Sequence, residues 1–306
     1  MVRPALKRHS SGAALVLAML IAALAAIVAI AVAAEQQRWL AEVANRRDQV
    51  QAQALALAGV QWSRQIMQDD ARAGGIDHPG EAWAYPLPRT PLENGSIEGS
   101  IEDAQGRLNI NNLVTDGVSG KEERARLARL FAQRGIAPRT LDLIVASLSA
   151  APAGEGVRTI GAPPHPQPLP TSLRPVRVAE LAALRGVTGR DLSQLMPFVT
   201  ALPATTVLNV NTATPEVLAA AIPGMSDDAL AALVAERARK PFATLADFRS
   251  RLPGGATVPN ETTLGVASSY FLVSVRARQG ETQAQARALL RRDGRDWPIV
   301  VWQTLE

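Results

Sequence analysis

Residues 12–34 read GAALVLAMLIAALAAIVAIAVAA, and their reading decides the fold. From Ala13 to Ala34 the run has 22 residues and no charge, with the basic pair Lys7–Arg8 just before it. A helix of that length spans about 33 Å, enough to cross the hydrocarbon core of a bilayer. The basic leader predicts that the start of the chain stays in the cytoplasm and the rest lies outside. Three readings fit so far. The run is a cleaved export signal with Ala31–Ala34 as its small-residue site, a plain membrane anchor, or the first part of a longer helix. A signal's apolar core usually has about 7–15 residues, shorter than this one.

The next stretch, EQQRWLAEVANRRDQVQAQALALAGVQWSRQIMQDDARAGG, holds no proline and no turn signal before Gly74–Gly75. Leu40, Val43, Val50, Ala54, Leu57, Val60 and Met67 recur at helical steps and predict one apolar stripe. The apolar run therefore continues into an amphipathic helix ending near Arg72, on the order of 90 Å long in all. A cleaved signal has no reason to share a helix with the domain it exports.

A short basic leader, a glycine, an apolar helix and its amphipathic continuation together resemble the type IV pilin and pseudopilin class. In that class a prepilin peptidase cuts after the glycine and the new N-terminus is methylated. The resemblance thus implies cleavage between Gly12 and Ala13 and N-methylation of Ala13. The class usually carries glutamate at the fifth mature position, where this chain has Leu17. Lack of that glutamate is similar to the general secretion pathway protein K family, minor pseudopilins of type II secretion, in which the subunit sits at a fibre tip.

The 306 residues carry a formal charge of +4. Arg3, Lys7 and Arg8 lie in the leader, so the rest of the chain is near neutrality. So small a charge is a poor attractant for nucleic acid despite the basic isoelectric point. There is no cysteine, so an exported form relies on its core or on bound ions for stability.

Residues 73–95 read as a loop in which Trp83 and Tyr85 cap an apolar surface, and Glu81-Ala82-Trp83-Ala84 resembles a family run. Residues 96–103, SIEGSIED, alternate as a half-buried strand. The following Asp103-Ala-Gln-Gly-Arg-Leu-Asn-Ile-Asn-Asn-Leu113 is the internal string closest to the family, its asparagines suited to turns and caps. Helices are predicted over 121–135, 138–150, 178–186, 188–202, 215–221, 226–239 and 245–252, with an extended piece at 206–211. The Pro/Gly-rich stretch between two of them is a long loop. Family members carry calcium-associated acidic residues there. Between Ser147 and Arg177 this chain has only Glu155, too few carboxylates for a calcium shell, and no cofactor or metal is expected.

The run 208–248 also resembles a helix-hairpin-helix unit, with Pro223-Gly224-Met225-Ser226 as hairpin. Such hairpins hold DNA phosphates on backbone N–H groups. Here Ser226 replaces the second glycine and Asp227–Asp228 stand where phosphate would bind. A DNA-binding protein of an uptake type is the alternative function. Arg237–Lys240 reads as a solvated face, as does Asp69–Asp70.

Residues 269–279, 282–292 and 299–302 alternate as a terminal β-meander, with turns at Gly280 and Gly294. The expected fold is α+β: a pilin-like long N-terminal helix packed on an antiparallel sheet, with a large inserted all-helical domain of SAM or helix-hairpin-helix appearance. The expected division is leader 1–12, membrane part 13–34, body 35–106 with 263–306, and insert 107–262. The three histidines, His9, His78 and His165, offer no catalytic set, and no enzyme is expected. The family resemblance implies an inner-membrane protein with its bulk in the periplasm. It implies minor pseudopilins I and J, the prepilin peptidase and the inner-membrane assembly platform as partners.

Overall fold

The computed structural model describes residues 11–114, 118–150, 175, 177–254, 256, 258 and 260–306. The leader up to Ser10, Glu155 and His165 lie outside the described residues. One helix, α1, runs unbroken over Ser11–Ala73, 63 residues. Its last third packs on an antiparallel sheet of β1 (Leu87–Leu92), β2 (Gly95–Asp103), β7 (Tyr270–Gln279), β8 (Thr282–Arg291) and β9 (Ile299–Leu305), in that order. Between β2 and β7 the chain makes the helices α2 (Val118–Gln133), α3 (Pro138–Ala150), α4 (Gly189–Leu195), α5 (Pro215–Ala221), α6 (Asp227–Arg239) and α7 (Leu245–Ser250).

The helix meets the sheet through small residues. Ala52, Ala56, Val60 and Met67 are buried against Phe271, Val273, Val275, Ala277, Ala284, Ala286, Ala288 and Leu290. Alternation predicted the sheet side, since these are every second residue of β7 and β8. The helix side needs correction. Of the predicted stripe, Val60 and Met67 are buried and Leu57 is partly buried, but Leu40, Val43, Val50 and Ala54 are exposed; the buried line is Ala52, Ala56, Gly59, Val60, Ser63 and Met67. Size explains the shift at positions 52, 56 and 59: alanine and glycine there allow a closer backbone approach than larger side chains would. At Gly59 a Cβ would lie 2.6 Å from Val275 Cγ1.

Residues 73–95 are not all loop. Leu87–Leu92 forms an edge strand although it contains Pro88 and Pro91, because an edge strand can spare N–H groups on its open side. Trp83 is buried, edge-on to Phe271 at 5.3 Å, whereas Tyr85 is exposed and caps nothing. The helix expected over 188–202 stops at Leu195, and Val199–Thr200 (β4) pairs in parallel with Leu108–Asn109 (β3). The segment 178–186 is a short 3₁₀ turn over Val178–Ala183.

The connecting helices have their own core, centred on Leu127, Leu130, Ile144, Leu195, Val217, Leu218, Phe242 and Phe248. Their caps match their sequences. Thr188, Thr214, Ser226 and Thr244 each accept an N–H from the first turn of α4, α5, α6 and α7. Gly135 takes φ +65° just after α2, where a left-handed residue ends a helix. A second parallel pair joins Leu208–Asn209 (β5) to Leu264–Gly265 (β6), so the segment repeats one plan: a two-residue strand, helices, and a returning two-residue strand. The repeat is written in sequence as Leu108-Asn-Ile-Asn111 and Leu208-Asn-Val-Asn211.

The close approach at Gly59 yields a test. Gly59→Leu should cost about 1–3 kcal/mol by overpacking, whereas Leu at exposed Ala58 should change stability by less than about 0.5 kcal/mol. Urea unfolding of the two variants checks this.

Candidate functional site

Two features stand out: the uncovered half of α1, and a buried polar joint where helix, sheet and connecting helices meet. From Ala13 to Gln51 no residue of α1 is buried. The apolar window here has a mean hydropathy of 3.1 with no residue buried, long enough to cross a membrane. Gly12 stands one residue inside α1, Ala13 is exposed, and Leu17 is 57% exposed. The three predicted site residues thus lie along the first two turns of one helix. Beyond the apolar run, Trp39, Leu40, Val43 and Val50 continue an apolar surface that nothing among the described residues covers.

The joint is built around Arg292, the residue after β8. Its guanidinium donates to both oxygens of Asp77, at 2.6 and 2.7 Å, to Asp70 near the end of α1, and to the Ser268 carbonyl at 3.0 Å. It also stacks over Phe271, 4.7 Å from the ring centre. Asp77 in turn accepts the Ser268 N–H at 2.7 Å. A few ångströms on, the buried Asp103 ends β2 and gathers donors from both sides. Its carboxylate accepts from Gln105 N at 2.7 Å, Ser268 Oγ at 2.7 Å, Asn209 Nδ2 at 2.9 Å and Thr212 Oγ1. Gln105 bridges onward, donating to the Val207 carbonyl and accepting the Ser269 N–H. The two ends of the helical segment are therefore pinned to the sheet through one polar cluster.

The asparagines of the repeated string serve the same joint from within. Asn109 donates to the Ala204 carbonyl and accepts the Leu202 and Asn111 N–H groups. Asn209 accepts the Asn211 N–H, and Asn211 clasps Phe242 through both its N–H and its carbonyl. Each first asparagine closes a turn on its own strand, so the pattern is a folding device.

Asp69–Asp70 is not a solvated pair. Asp69 is exposed, but Asp70 lies half-buried against Arg292. Burial, followed by the nearby Glu81 carboxylate, pushes Asp70 up to about 6 against the pull of Arg292. Burial likewise raises Asp103, opposed by its hydroxyl and backbone donors. Asp70, Asp77 and Glu81 bring ligand-capable oxygens within 4.8 Å of one another, the geometry a cation could use. Their bonds are already engaged: Arg292 holds the two aspartates, and Glu81 accepts from His78 N and Trp83 Nε1.

The hairpin of the DNA reading is present, with Gly224 at φ +89°. Ser226 caps α6, and Asp227 and Asp228 in its first turn place negative charge beside the site where a phosphate would sit, so like charge opposes it. Arg237 is not on a solvated face either; it donates to the Val210 and Ala213 carbonyls at 2.8 and 2.7 Å.

Two tests follow from the joint. Arg292→Met strands the buried Asp77 charge and should cost about 3–5 kcal/mol, read as a fall in urea midpoint. For Asp70 the sign is set by its raised value. Between 3.8 and about 6 the folded form keeps a proton that the unfolded chain releases. Its contribution is full below that window and is lost as pH rises through 6. Asp70→Asn, which cannot titrate, should therefore gain stability relative to the parent between pH 4 and pH 7.

Known proteins agree with this architecture. Models of the family described as type II secretion system protein K match residues 106–204 and 208–267. The type II secretion system protein K of Pseudomonas aeruginosa is 30% identical over 97% of this chain and 92% of its own length. That of Pectobacterium carotovorum is 28% identical over 96% of each chain. A chain in the crystal structure of the GspK–GspI–GspJ complex from enterotoxigenic Escherichia coli superposes with a TM-score of 0.69. It covers 87% of this chain and 99% of that one, at 20% identity. The boundary between the two family matches falls between the two copies of the repeated strand–helix plan. With 97% of its length shared with the Pseudomonas aeruginosa protein at 30% identity, the chain belongs to the type II secretion system protein K family, the minor pseudopilins of that system.

Proposed function

We propose that this chain is the tip subunit of a periplasmic pseudopilus, held in the inner membrane by α1 until it assembles. The observation that carries this reading is the continuous helix that is apolar over residues 13–34 and unburied as far as Gln51, while its last third anchors a folded body. Such a helix moves from lipid into a bundle of like helices without refolding, since its backbone bonds are internal in both settings. The prepilin peptidase cuts between Gly12 and Ala13, and Ala13 receives the methyl group.

Leu17 gives the reading its direction. A fifth-position carboxylate would pair with the N-terminus of the subunit above; leucine makes no such pair, so the subunit needs no neighbour above it. The helical segment 107–262 stands at the far end of the body 35–106 with 263–306 and blocks further addition there. In this role the chain is structural and performs no catalysis. Its partners are the minor pseudopilins I and J, in keeping with the complex in which its structural relative was solved. The assembly platform receives it in the membrane, and no metal is assigned to residues 147–177.

The mass and N-terminal sequence of the protein recovered from its native membrane test this reading. A chain starting at Ala13 and heavier by one methyl group is expected. A chain starting at Glu35 would remove the assembly helix and sink the proposal.

A further inference from the structure

The sheet has two edges, and the sequence treats them in opposite ways. β1 carries Pro88 and Pro91, and its register with β2 shifts between Leu87 and Thr90. Prolines and bulges on an edge strand block pairing with another chain. β9 reads IVVWQTL, with neither proline nor charge, and Ile299 and Leu305 are exposed. Natural proteins seldom leave an apolar edge unguarded unless something pairs with it.

The hydrogen bonds say which groups are open. Gln285 N donates to the Glu306 carbonyl at 2.7 Å, and Glu306 N donates to the Gln285 carbonyl at 2.9 Å. Doubly bonded pairs alternate along an antiparallel ladder. The register therefore makes Thr304–Arg287 and Trp302–Leu289 bonded pairs, and turns the N–H and C=O of Gln303 and Leu305 away from β8. Those groups stand along the margin of the sheet, where no further strand follows among the described residues.

We propose that the open edge of β9 receives an extended strand from a different subunit of the same fibre, through the main-chain groups of Gln303 and Leu305. This rests on the pseudopilus reading above. Only an extended backbone matches alternate N–H and C=O groups along an edge. A second copy of this chain does not fit. Two-fold antiparallel pairing through β9 would reverse one sheet and its α1, so the two apolar spans could not enter one membrane side by side. Height favours an anchored neighbour. Arg64 donates to the Pro298 carbonyl at the start of β9, which places that point about 45 Å along the helix from Ala34. A subunit with its own parallel anchor helix presents its body at that level, whereas lipid headgroups lie far below.

The test uses the full chain in its native secreting cell. Gln303→Pro removes one outward N–H and leaves the β8 ladder intact, so the protein should accumulate and keep its melting temperature while secretion is lost. Normal secretion by Gln303→Pro would overturn the inference. Deleting the whole chain is the separating control. If deletion leaves secretion intact, the pseudopilus reading fails; if deletion abolishes secretion and Gln303→Pro does not, only the edge inference fails. A second readout does not depend on proline. The chain has no cysteine, so a nitroxide on Gln303→Cys reports that site alone. It should be mobile in the purified full chain and immobilised when minor pseudopilins I and J of the same system are co-purified with it. Unchanged mobility in that complex would overturn the inference.

Discussion

The contact on which the rest depends is the close seating of α1 on the sheet. Ala52, Ala56 and Gly59 lie against Val275, Ala277, Ala284, Ala286 and Ala288, small surface on small surface. Each pair buries little area, but the row lets two backbones approach, and dispersion gains accumulate over many atoms. The same choice leaves the bulky apolar residues of α1 facing outward. A helix that used leucine to hold its own sheet would have less apolar surface left for other helices.

The second constraint is polar. The body and the connecting helices share a cluster in which Arg292, Asp77, Asp103, Ser268 and Asn209 satisfy one another. In a low-dielectric setting such a network is costly to break and specific in geometry. It fixes where the helical segment leaves and rejoins the sheet, so that Asp103 and Phe271 sit side by side as strand partners. The apolar core of the helices supplies their own stability; the cluster supplies their orientation on the body.

Much of this was legible in the sequence. The unbroken α1 follows from the absence of proline and from its apolar run. Helix starts at Thr214–Pro215 and Ser226, and the strands β2, β7 and β8, follow from capping chemistry and period-two alternation. What escaped was set by long-range pairing. Arg292 looked like one of many arginines, because its partners Asp70 and Asp77 are far away in sequence. The open side of an edge strand excused the prolines of β1, which local rules count against a strand. The face of α1 that packs is only partly given by apolar size: Val60 and Met67 follow it, whereas Ala52, Ala56 and Gly59 pack because they are small. The repeated Leu-Asn-x-Asn was a signal in plain view: two copies of one string, each opening a strand–helix unit. At the functional end, the roles proposed for Gly12, Ala13 and Leu17 rest on position alone, counted from the leader, and no tertiary contact bears on them.

The seating of α1 also has a temporal side. The ribosome makes α1 first, and most of its packing surface, on β7 and β8, near the end. Until β7 and β8 have been synthesised, the line of Ala52, Ala56 and Gly59 lacks most of its partners, with only the Ile97 and Ile101 strand already made. The connecting helices have a core of their own, fed by contacts nearer in sequence. They can condense while the sheet waits, which shortens the loop that β2 and β7 must close. Because the sheet is completed by its last strands, a chain cut short before them would keep its apolar span and lose its body.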